Sequence, residues 1–321
     1  MKHESDSLPA RRRQTLRAVE HELSCIELVR CCTNLIDEVQ RERGLSQLVL
    51  STLGESYAAA LREQILISGE VEQSLRAQIE RLDPIGSGSA SALARLVQQA
   101  QGLLRSPGLA DLQGMRRRVL LTRCSRQEMF DAYCTLIAQL LNLVETAHAA
   151  LRERELECRL ATLLHLMHGK EYSGQERARG AGLFVSGRHD VRDWQQIRGL
   201  IEAQQYCASR FVSQAHPDAR RLLKDTLQLD TQAEVERLRQ LLSEMPDQAP
   251  LDAGMGELWF RSCSRRMNEL REVERQLLQG MRESLQQRLS ELAQAEPARQ
   301  GRTRSAAWLR GGATQERYAA R

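Results

Sequence analysis

The sequence has few aromatic residues and almost no lysine. Aromatic residues make up 4% of the 321 positions, and lysine occurs only at Lys2, Lys170 and Lys224, so 43 of the 46 basic residues are arginine. Strands favour aromatic and β-branched side chains, whereas the abundant Leu, Ala, Arg, Gln and Glu favour helices. The composition therefore predicts an all-α protein.

Long hydrophobic runs are also missing. No stretch approaches the roughly 18 uncharged apolar residues of a membrane-spanning helix. At the N-terminus, Arg11, Arg12 and Arg13 lead into a mixed amphipathic segment without the apolar centre of a signal peptide. These two absences predict a cytoplasmic protein with no membrane partner.

Patterns that carry catalytic or metal chemistry are absent as well. The eight cysteines show no CxxC pair or other metal-ligand spacing, and His165 and His168 have no cysteine or carboxylate ligand set beside them. No GxSxG, P-loop, HExxH or GxGxxG motif occurs. We therefore expect no metal, no cofactor and no enzymatic activity.

Charge is distributed unevenly along the chain. After Pro297 there are six arginines and one acidic residue, Glu316, whereas residues 1–296 contain 40 basic and 41 acidic residues. This predicts an N-terminal arm over 1–14, a nearly neutral helical domain over 15–296 and a basic flexible tail over 297–321. Contact of such a tail with RNA is an open alternative.

Glycine, proline and polar clusters divide the chain into long helical stretches. The predicted helices, all bounded by such clusters, run over about 16–53, 57–82, 91–105, 113–152, 155–184, 191–212, 217–243 and 256–295. Long helices joined by short loops predict antiparallel helical bundles.

Three arginines lie where the helical period places core residues. The rows with alternating spacings of three and four are Ile36, Val39, Arg43, Ser46, Leu50; Leu160, Leu163, Met167, Lys170, Gly174, Arg177, Ala181, Phe184; and Trp259, Cys263, Arg266, Leu270, Val273, Leu277. A buried guanidinium needs anionic or hydrogen-bonding partners. The rows predict either a small anion held between helices or interhelical ion pairs, and periodicity alone does not decide between them.

The first two rows also share a local pattern. Glu42-Arg43-Gly44 and Glu176-Arg177-Ala178 each place a Glu-Arg pair before a small residue in the middle of a predicted helix. A small residue at such a position lets a backbone or a ligand approach closely.

Three ordered segments resemble the nitrate- and nitrite-sensing (NIT) domain family. They are LIDEVQRERGLS over 35–46, KEYSGQERA over 170–178, and a segment from Trp259-Phe260 to Val273-Glu274. The resemblance implies two antiparallel four-helix bundles side by side with a long C-terminal helix. It also implies an anion site formed by arginines of these motifs, here Arg43, Arg177 and Arg266.

The chemistry of the expected ligand agrees with arginine. Nitrate and nitrite are planar anions, and the planar fork of a guanidinium donates to two oxygens at once, which lysine does not do. The resemblance therefore predicts a cytoplasmic sensor that binds nitrate or nitrite between bundles and relays a conformational change to a regulatory output, in control of nitrate assimilation genes. Two alternatives are a helical interaction scaffold without a small ligand and an RNA-associated regulator that acts through its basic tail.

The chain departs from the family at its C-terminal end. Family members often carry an ANTAR output domain that binds RNA, but only 25 residues, rich in Arg, Gly and Ala, run from Pro297 to the last residue. So short a segment does not hold three helices. We therefore expect the signal to pass through a homodimer or through a separate regulatory protein; a stand-alone sensing or sequestering protein and a truncated relative are the alternatives.

Overall fold

The structure is a computed structural model that describes residues 7–82 and 92–294. Over these residues it contains eleven helices, and its one β feature is an isolated antiparallel bridge between Arg188 and Pro250. The helices are α1 (Ser7–Ser51), α2 (Ala58–Glu80), α3 (Ala92–Leu104), α4 (Pro107–Ala110), α5 (Leu112–Leu120), α6 (Arg126–Ala150), α7 (Arg154–Ser186), α8 (Val191–Gln214), α9 (Pro217–Thr226), α10 (Leu229–Glu244) and α11 (Ala253–Gln294). The all-α prediction is confirmed, whereas the division into two four-helix bundles stays a prediction.

Contacts divide the chain into two units. One comprises the described N-terminal part of α1, up to Leu23, with the described part of α11 from Arg282 onward, and the other comprises Ser24–Met281. The three arginines singled out by their spacing lie in the second unit. Of the predicted segments, the tail 297–321 and the loop at 85–90 fall outside the described residues, and the domain boundaries stay predictions.

The long helices α1 and α7 bury the predicted rows. Every member of the Arg43 row and of the Arg177 row is buried. α1 begins at Ser7 instead of near Leu16, so the later residues of the predicted arm are helical. No described helix is long and apolar enough to cross a membrane.

The predicted long helix from Gln113 to Arg152 is wrong, because the chain breaks into α5 and α6. Thr122 has a left-handed backbone with φ 52°, which ends α5. Ser125 then caps α6: its side chain accepts from the backbone N–H of Glu128, and the Glu128 carboxylate accepts from the N–H of Ser125. The residues of this capping box can be recognised in the sequence, but the apolar pattern continues across them and favoured a single helix.

A similar break divides the predicted helix over 217–243. Leu227 and Gln228 have extended backbones that separate α9 from α10. The segment after α10 is joined by hydrogen bonds to the turn that follows α7, since the N–H of His189 donates to Ala249 O at 2.8 Å and that of Leu251 to Gly187 O at 2.9 Å.

Trp259 fixes how α11 packs against α7. Its indole is fully buried, and a Cβ placed on Gly180 would lie 2.2 Å from the ring, so the helices approach this closely only because residue 180 is glycine. The indole N–H donates to Arg177 O at 3.2 Å. The packing thus fixes the backbone of α7 at the second predicted arginine.

Candidate functional site

Two arginines and two glycines face one another between α1 and α7. The Nη2 atom of Arg177 on α7 lies 2.9 Å from where a Cβ of Gly44 on α1 would be, and Nη2 of Arg43 lies 2.6 Å from the equivalent position at Gly174 on α7. Each guanidinium therefore fills the space that the glycine of the opposite helix leaves open. At Gly44, the small residue after the Glu-Arg pair is needed because a larger side chain would collide with Arg177.

Arg43 is fully buried and its charge is paired, although its Nε atom has no hydrogen-bond partner among the described residues. Its Nη1 and Nη2 donate to the two carboxylate oxygens of Glu171 at 2.5 and 3.1 Å, and Nη1 also contacts Cys134 Sγ at 3.1 Å. Burial, the largest single cause, works to lower the pKa of Arg43, but the charges of Glu171 and Cys134 and the hydrogen bonds to them together hold the pKa above its ordinary value. Arg43 and Glu171 form a neutral pair.

Arg177 is equally buried but has no carboxylate partner among the described residues. Its Nη1 donates to Ser264 Oγ at 3.0 Å, its Nη2 donates to Gln40 O at 2.6 Å, and the guanidinium carbon lies 5.0 Å from the centre of the Phe260 ring. Burial first, and the charge of Arg43 second, lower the pKa of Arg177 to about 10. The side chain stays protonated at neutral pH, and its charge is uncompensated.

The glutamates that precede the two arginines are engaged elsewhere. Glu42 accepts from Arg116 on α5 at 2.6 and 3.0 Å, and Glu176 accepts from Arg239 on α10 at 2.7 and 2.8 Å. The alternative of interhelical ion pairs therefore holds for Arg43 with Glu171 and for Arg266 with Glu176. It also holds for Arg116 and Arg239, which the sequence did not single out. Neither glutamate neutralises the arginine that follows it.

Arg266 lies in a different contact set from Arg43 and Arg177. Its Nη2 donates to Ser173 Oγ at 3.0 Å and to Glu176 Oε2 at 3.1 Å, and it also contacts Gln204 Oε1. The side chain borders a cavity of about 510 Å³ between α7, α8, α10 and α11. Met267, instead of Arg266, approaches Gly174 from α11, and its Cε lies 3.0 Å from where a Cβ of Gly174 would be.

A second buried charge cluster lies one residue before Glu171. Lys170 is almost completely buried and pairs with Asp37 from α1 and Glu274 from α11, while Arg271 Nε reaches Asp37 at 2.9 Å. Burial, the largest cause, raises the pKa of Glu274, and the charge of Lys170 lowers it. The charge of Asp37 raises it further, and the result is a pKa of about 7. This cluster joins α1, α7 and α11.

The sequence indicated Arg43 and Arg177 but missed the residues that surround them. Glu171, Gln40 and Gln175 all lie inside the quoted motifs, so the motifs themselves were the available signal. Their roles depend on which side chains meet across two helices, and no spacing within one helix reports that. Among the described residues, no group of three or more His, Cys, Asp and Glu is placed to hold a metal ion.

Comparisons with known proteins specify the class of this helical protein. A nitrate regulatory protein from Klebsiella oxytoca is 31% identical over 245 residues, which are 76% of this chain and 59% of the relative. The solved structure of the NasR transcription antiterminator matches with a TM-score of 0.77 at 26% identity, covering 89% of this chain and 75% of that one. Both proteins are regulatory proteins according to their names. The chain spans about 59% of the length of the Klebsiella oxytoca relative.

A family comparison then gives the particular membership. The model of the family described as nitrate and nitrite sensing (NIT) matches residues 34–282. This match spans most of the chain, and the chain belongs to the nitrate and nitrite sensing family. The resemblance inferred from the three motifs is confirmed.

Proposed function

We propose that this chain senses nitrate or nitrite by binding the anion at Arg43 and Arg177, between α1 and α7. The observation that carries the proposal is the state of Arg177, which is 3% exposed, has a pKa lowered to about 10 and has no carboxylate partner among the described residues. An uncompensated buried charge costs several kcal/mol. A bound anion removes that cost, so the site favours one.

The charge of the site fits a monovalent anion. Arg43, Arg177 and Glu171 together carry one net positive charge, which one nitrate or nitrite ion neutralises. Guanidinium forks donate in the plane of such an ion and match its oxygens in pairs. Chloride has the same charge but no plane, and sulfate carries two charges, so we expect both to bind more weakly.

Arg266 supports the site through Glu176 instead of touching the anion. Glu176 precedes Arg177 and receives hydrogen bonds from both Arg239 and Arg266. Burial alone would raise the pKa of Glu176, but these two arginines hold it below its ordinary value. The ionised Glu176 then fixes α7 beside Arg177, so we assign Arg266, which the resemblance placed in the anion site, a supporting role there.

Helix α11 is the element best placed to relay binding. It contributes Ser264 to Arg177, Met267 beside Gly174 and Glu274 to the Lys170 cluster, and it continues to Gln294. A ligand that favours one spacing of α1 and α7 over another shifts the population of these contacts. We propose that a homodimer or a separate regulatory protein reads this change in the cytoplasm and controls nitrate assimilation genes.

Ligand-dependent thermal unfolding tests the proposal directly. Melts of the full chain with nitrate, nitrite, chloride or sulfate are compared for the wild type, Arg43→Ala, Arg177→Ala and Arg177→Lys. Saturation at about 100 times the dissociation constant stabilises a protein by about 2.7 kcal/mol. We expect an upward shift selective for nitrate or nitrite, lost in both alanine variants and reduced in Arg177→Lys, which keeps the charge but not the fork.

Arg275→Ala is the matched control. Arg275 is an exposed arginine of α11 that pairs with Glu272 on its own helix, so its removal should leave the anion-induced shift unchanged. Absence of a selective shift in the wild type would refute nitrate sensing and favour the helical scaffold, in which buried arginines serve only ion pairs such as Arg116 with Glu42.

A further inference from the structure

The carboxylate of Glu171 lies in a complete cradle of hydrogen-bond donors. One oxygen accepts from Arg43 Nη1 at 2.5 Å and from Gln175 Nε2 at 2.9 Å, and the other accepts from Arg43 Nη2 at 3.1 Å and from Gln40 Nε2 at 2.8 Å. Two donors thus serve each oxygen. The carboxylate is 6% exposed, so these contacts take the place of water.

The same cradle fits the proposed ligand. A carboxylate is a planar group with two equivalent oxygens on one central atom, and nitrite has the same bent arrangement, while nitrate adds a third oxygen in the plane. Donors arranged in a plane for one of these groups therefore suit the others. Glu171 presents to Arg43 what a nitrite or nitrate ion would present.

We propose that Glu171 is a tethered competitor of the anion, which occupies the fork of Arg43 until nitrate or nitrite displaces it. This inference rests on the proposed function and adds a specificity-determining residue to it. Arg177, which has no carboxylate, attracts the anion first, and exchange of Glu171 for the anion at Arg43 completes the binding. Only a ligand that uses the whole planar fork recovers the hydrogen bonds lost by Glu171.

Competition lowers the apparent affinity, because only the fraction of molecules with Arg43 free binds the anion fully. The competitor thus sets the concentration at which the sensor responds and discriminates against chloride, which replaces only part of the contacts of the carboxylate. Removing the competitor should raise affinity and reduce this discrimination.

Isothermal titration of nitrate, nitrite and chloride into the full chain and three variants tests the proposal. Glu171→Gln removes the charge, and Glu171→Asp keeps the charge but shortens the side chain so that it no longer spans the fork of Arg43. We expect both variants to bind nitrate or nitrite about tenfold more tightly or better, with chloride gaining more than nitrate. Glu38→Gln, at a buried carboxylate that pairs with Arg271 instead of Arg43, should bind like the wild type.

Each other result contradicts the competitor role. If Glu171→Gln binds more tightly but Glu171→Asp binds like the wild type, Glu171 acts only as a nearby charge. Unchanged or weaker binding in both variants makes Glu171 a supporting residue or a bystander. Wild-type protein that binds no nitrate or nitrite refutes the proposed function instead, and that outcome is separate because it is measured before any variant.

Glu171→Ala gives a second measurement that does not depend on nitrate. The truncation opens the cradle, so formate or acetate should raise the melting temperature of this variant by several degrees more than that of the wild type, in which Glu171 still occupies the fork of Arg43. Chloride at equal ionic strength is the control. A variant that formate does not stabilise more than chloride would show that the four donors do not select a planar anion, and would overturn the proposal.

Discussion

Buried arginines in this protein differ in what compensates their charge. Arg116 and Arg177 are both almost inaccessible, but Arg116 donates to the two oxygens of Glu42, whereas among the described residues Arg177 has only Ser264 Oγ and Gln40 O as acceptors. A buried arginine that belongs to an ion pair is needed by its partner. A buried arginine with only neutral acceptors lowers the free energy of unfolding, so we expect it to serve a function.

Replacing each arginine by methionine should separate the two cases. Arg116→Met removes the partner of Glu42, to which the hydroxyl of Tyr133 still donates, and should lower the free energy of unfolding by about 3 to 5 kcal/mol. Arg177→Met removes an uncompensated charge and should be neutral or stabilising in the absence of nitrate and nitrite. Urea unfolding in a low-chloride buffer measures both.

Equal losses of stability in the two variants would contradict this difference. They would mean that Arg177 has a compensating partner in solution. The anion dependence provides an internal check, because added nitrate should stabilise Arg116→Met but leave Arg177→Met unaffected.

At this scale the sequence predicted that Arg43 and Arg177 point inward, but it missed Arg116 and did not predict what any of them contacts. Arg43 and Arg177 stand on apolar rows, and burial of those rows follows from the helical period. Glu171 is adjacent to Lys170 in the chain, yet one pairs with Arg43 and the other with Asp37 and Glu274. These pairings depend on contacts between helices, so the periodicity within one helix does not predict them.

At the scale of helices, close approach of α11 and α7 depends on Gly180. The ring of Trp259 occupies the space of a side chain at this position. Gly180→Ala should lower the free energy of unfolding by about 1 to 3 kcal/mol, since overpacking against a rigid indole outweighs the gain in helix propensity. Urea unfolding again measures the change.

Gly199 on α8 is the matched control. A Cβ there meets nothing within 4 Å, so Gly199→Ala should stabilise the protein by up to about 1 kcal/mol through helix propensity alone. A Gly180→Ala variant that is as stable as Gly199→Ala would show that Trp259 does not hold α11 against α7 as described.

The helices themselves were predictable to different degrees. Those ended by proline or glycine were predicted closely, because these residues change the backbone locally. The break between α5 and α6 was missed: a left-handed Thr122 carries no strong sequence signal, and apolar residues continue on either side. Arg266 stays partly exposed although Trp259 and Val273, seven residues to either side on the same row, are fully buried. The row therefore did not indicate that Met267, and not Arg266, would face Gly174.

At the scale of the whole molecule, the Lys170 cluster links three helices through charges that respond to pH. Glu274 on α11 contacts Lys170 on α7, which contacts Asp37 on α1, and Arg271 adds a second contact to Asp37. Lys170 is held protonated, because the two carboxylates outweigh burial and raise its pKa. Glu274 is the group in the cluster whose raised pKa, about 7, falls near neutral pH.

The sign of its effect on stability follows from proton binding. Because the pKa of Glu274 is raised from 4.5 to about 7, the folded protein binds this proton more tightly than the unfolded chain does. The contribution of Glu274 to the free energy of unfolding therefore falls as pH rises from about 4.5 to about 7 and is constant above that range. An ionised Glu274 is the less favourable form of the folded state.

Glu274→Gln should remove this dependence. The amide still accepts a hydrogen bond from Lys170 but does not titrate, so the variant should gain stability relative to the wild type, by about 1 to 3 kcal/mol, between pH 5 and pH 8. Glu272→Gln is the control: the pKa of exposed Glu272 is lowered to about 2, chiefly by hydrogen bonds from Arg275 and Gln276, so its contribution changes only below this window. Thermal unfolding in nitrate-free buffer at closely spaced pH values compares the three proteins. A constant difference between Glu274→Gln and the wild type from pH 5 to pH 8 would mean that Glu274 titrates as an ordinary carboxyl, and that contact of α11 with Lys170 does not depend on pH.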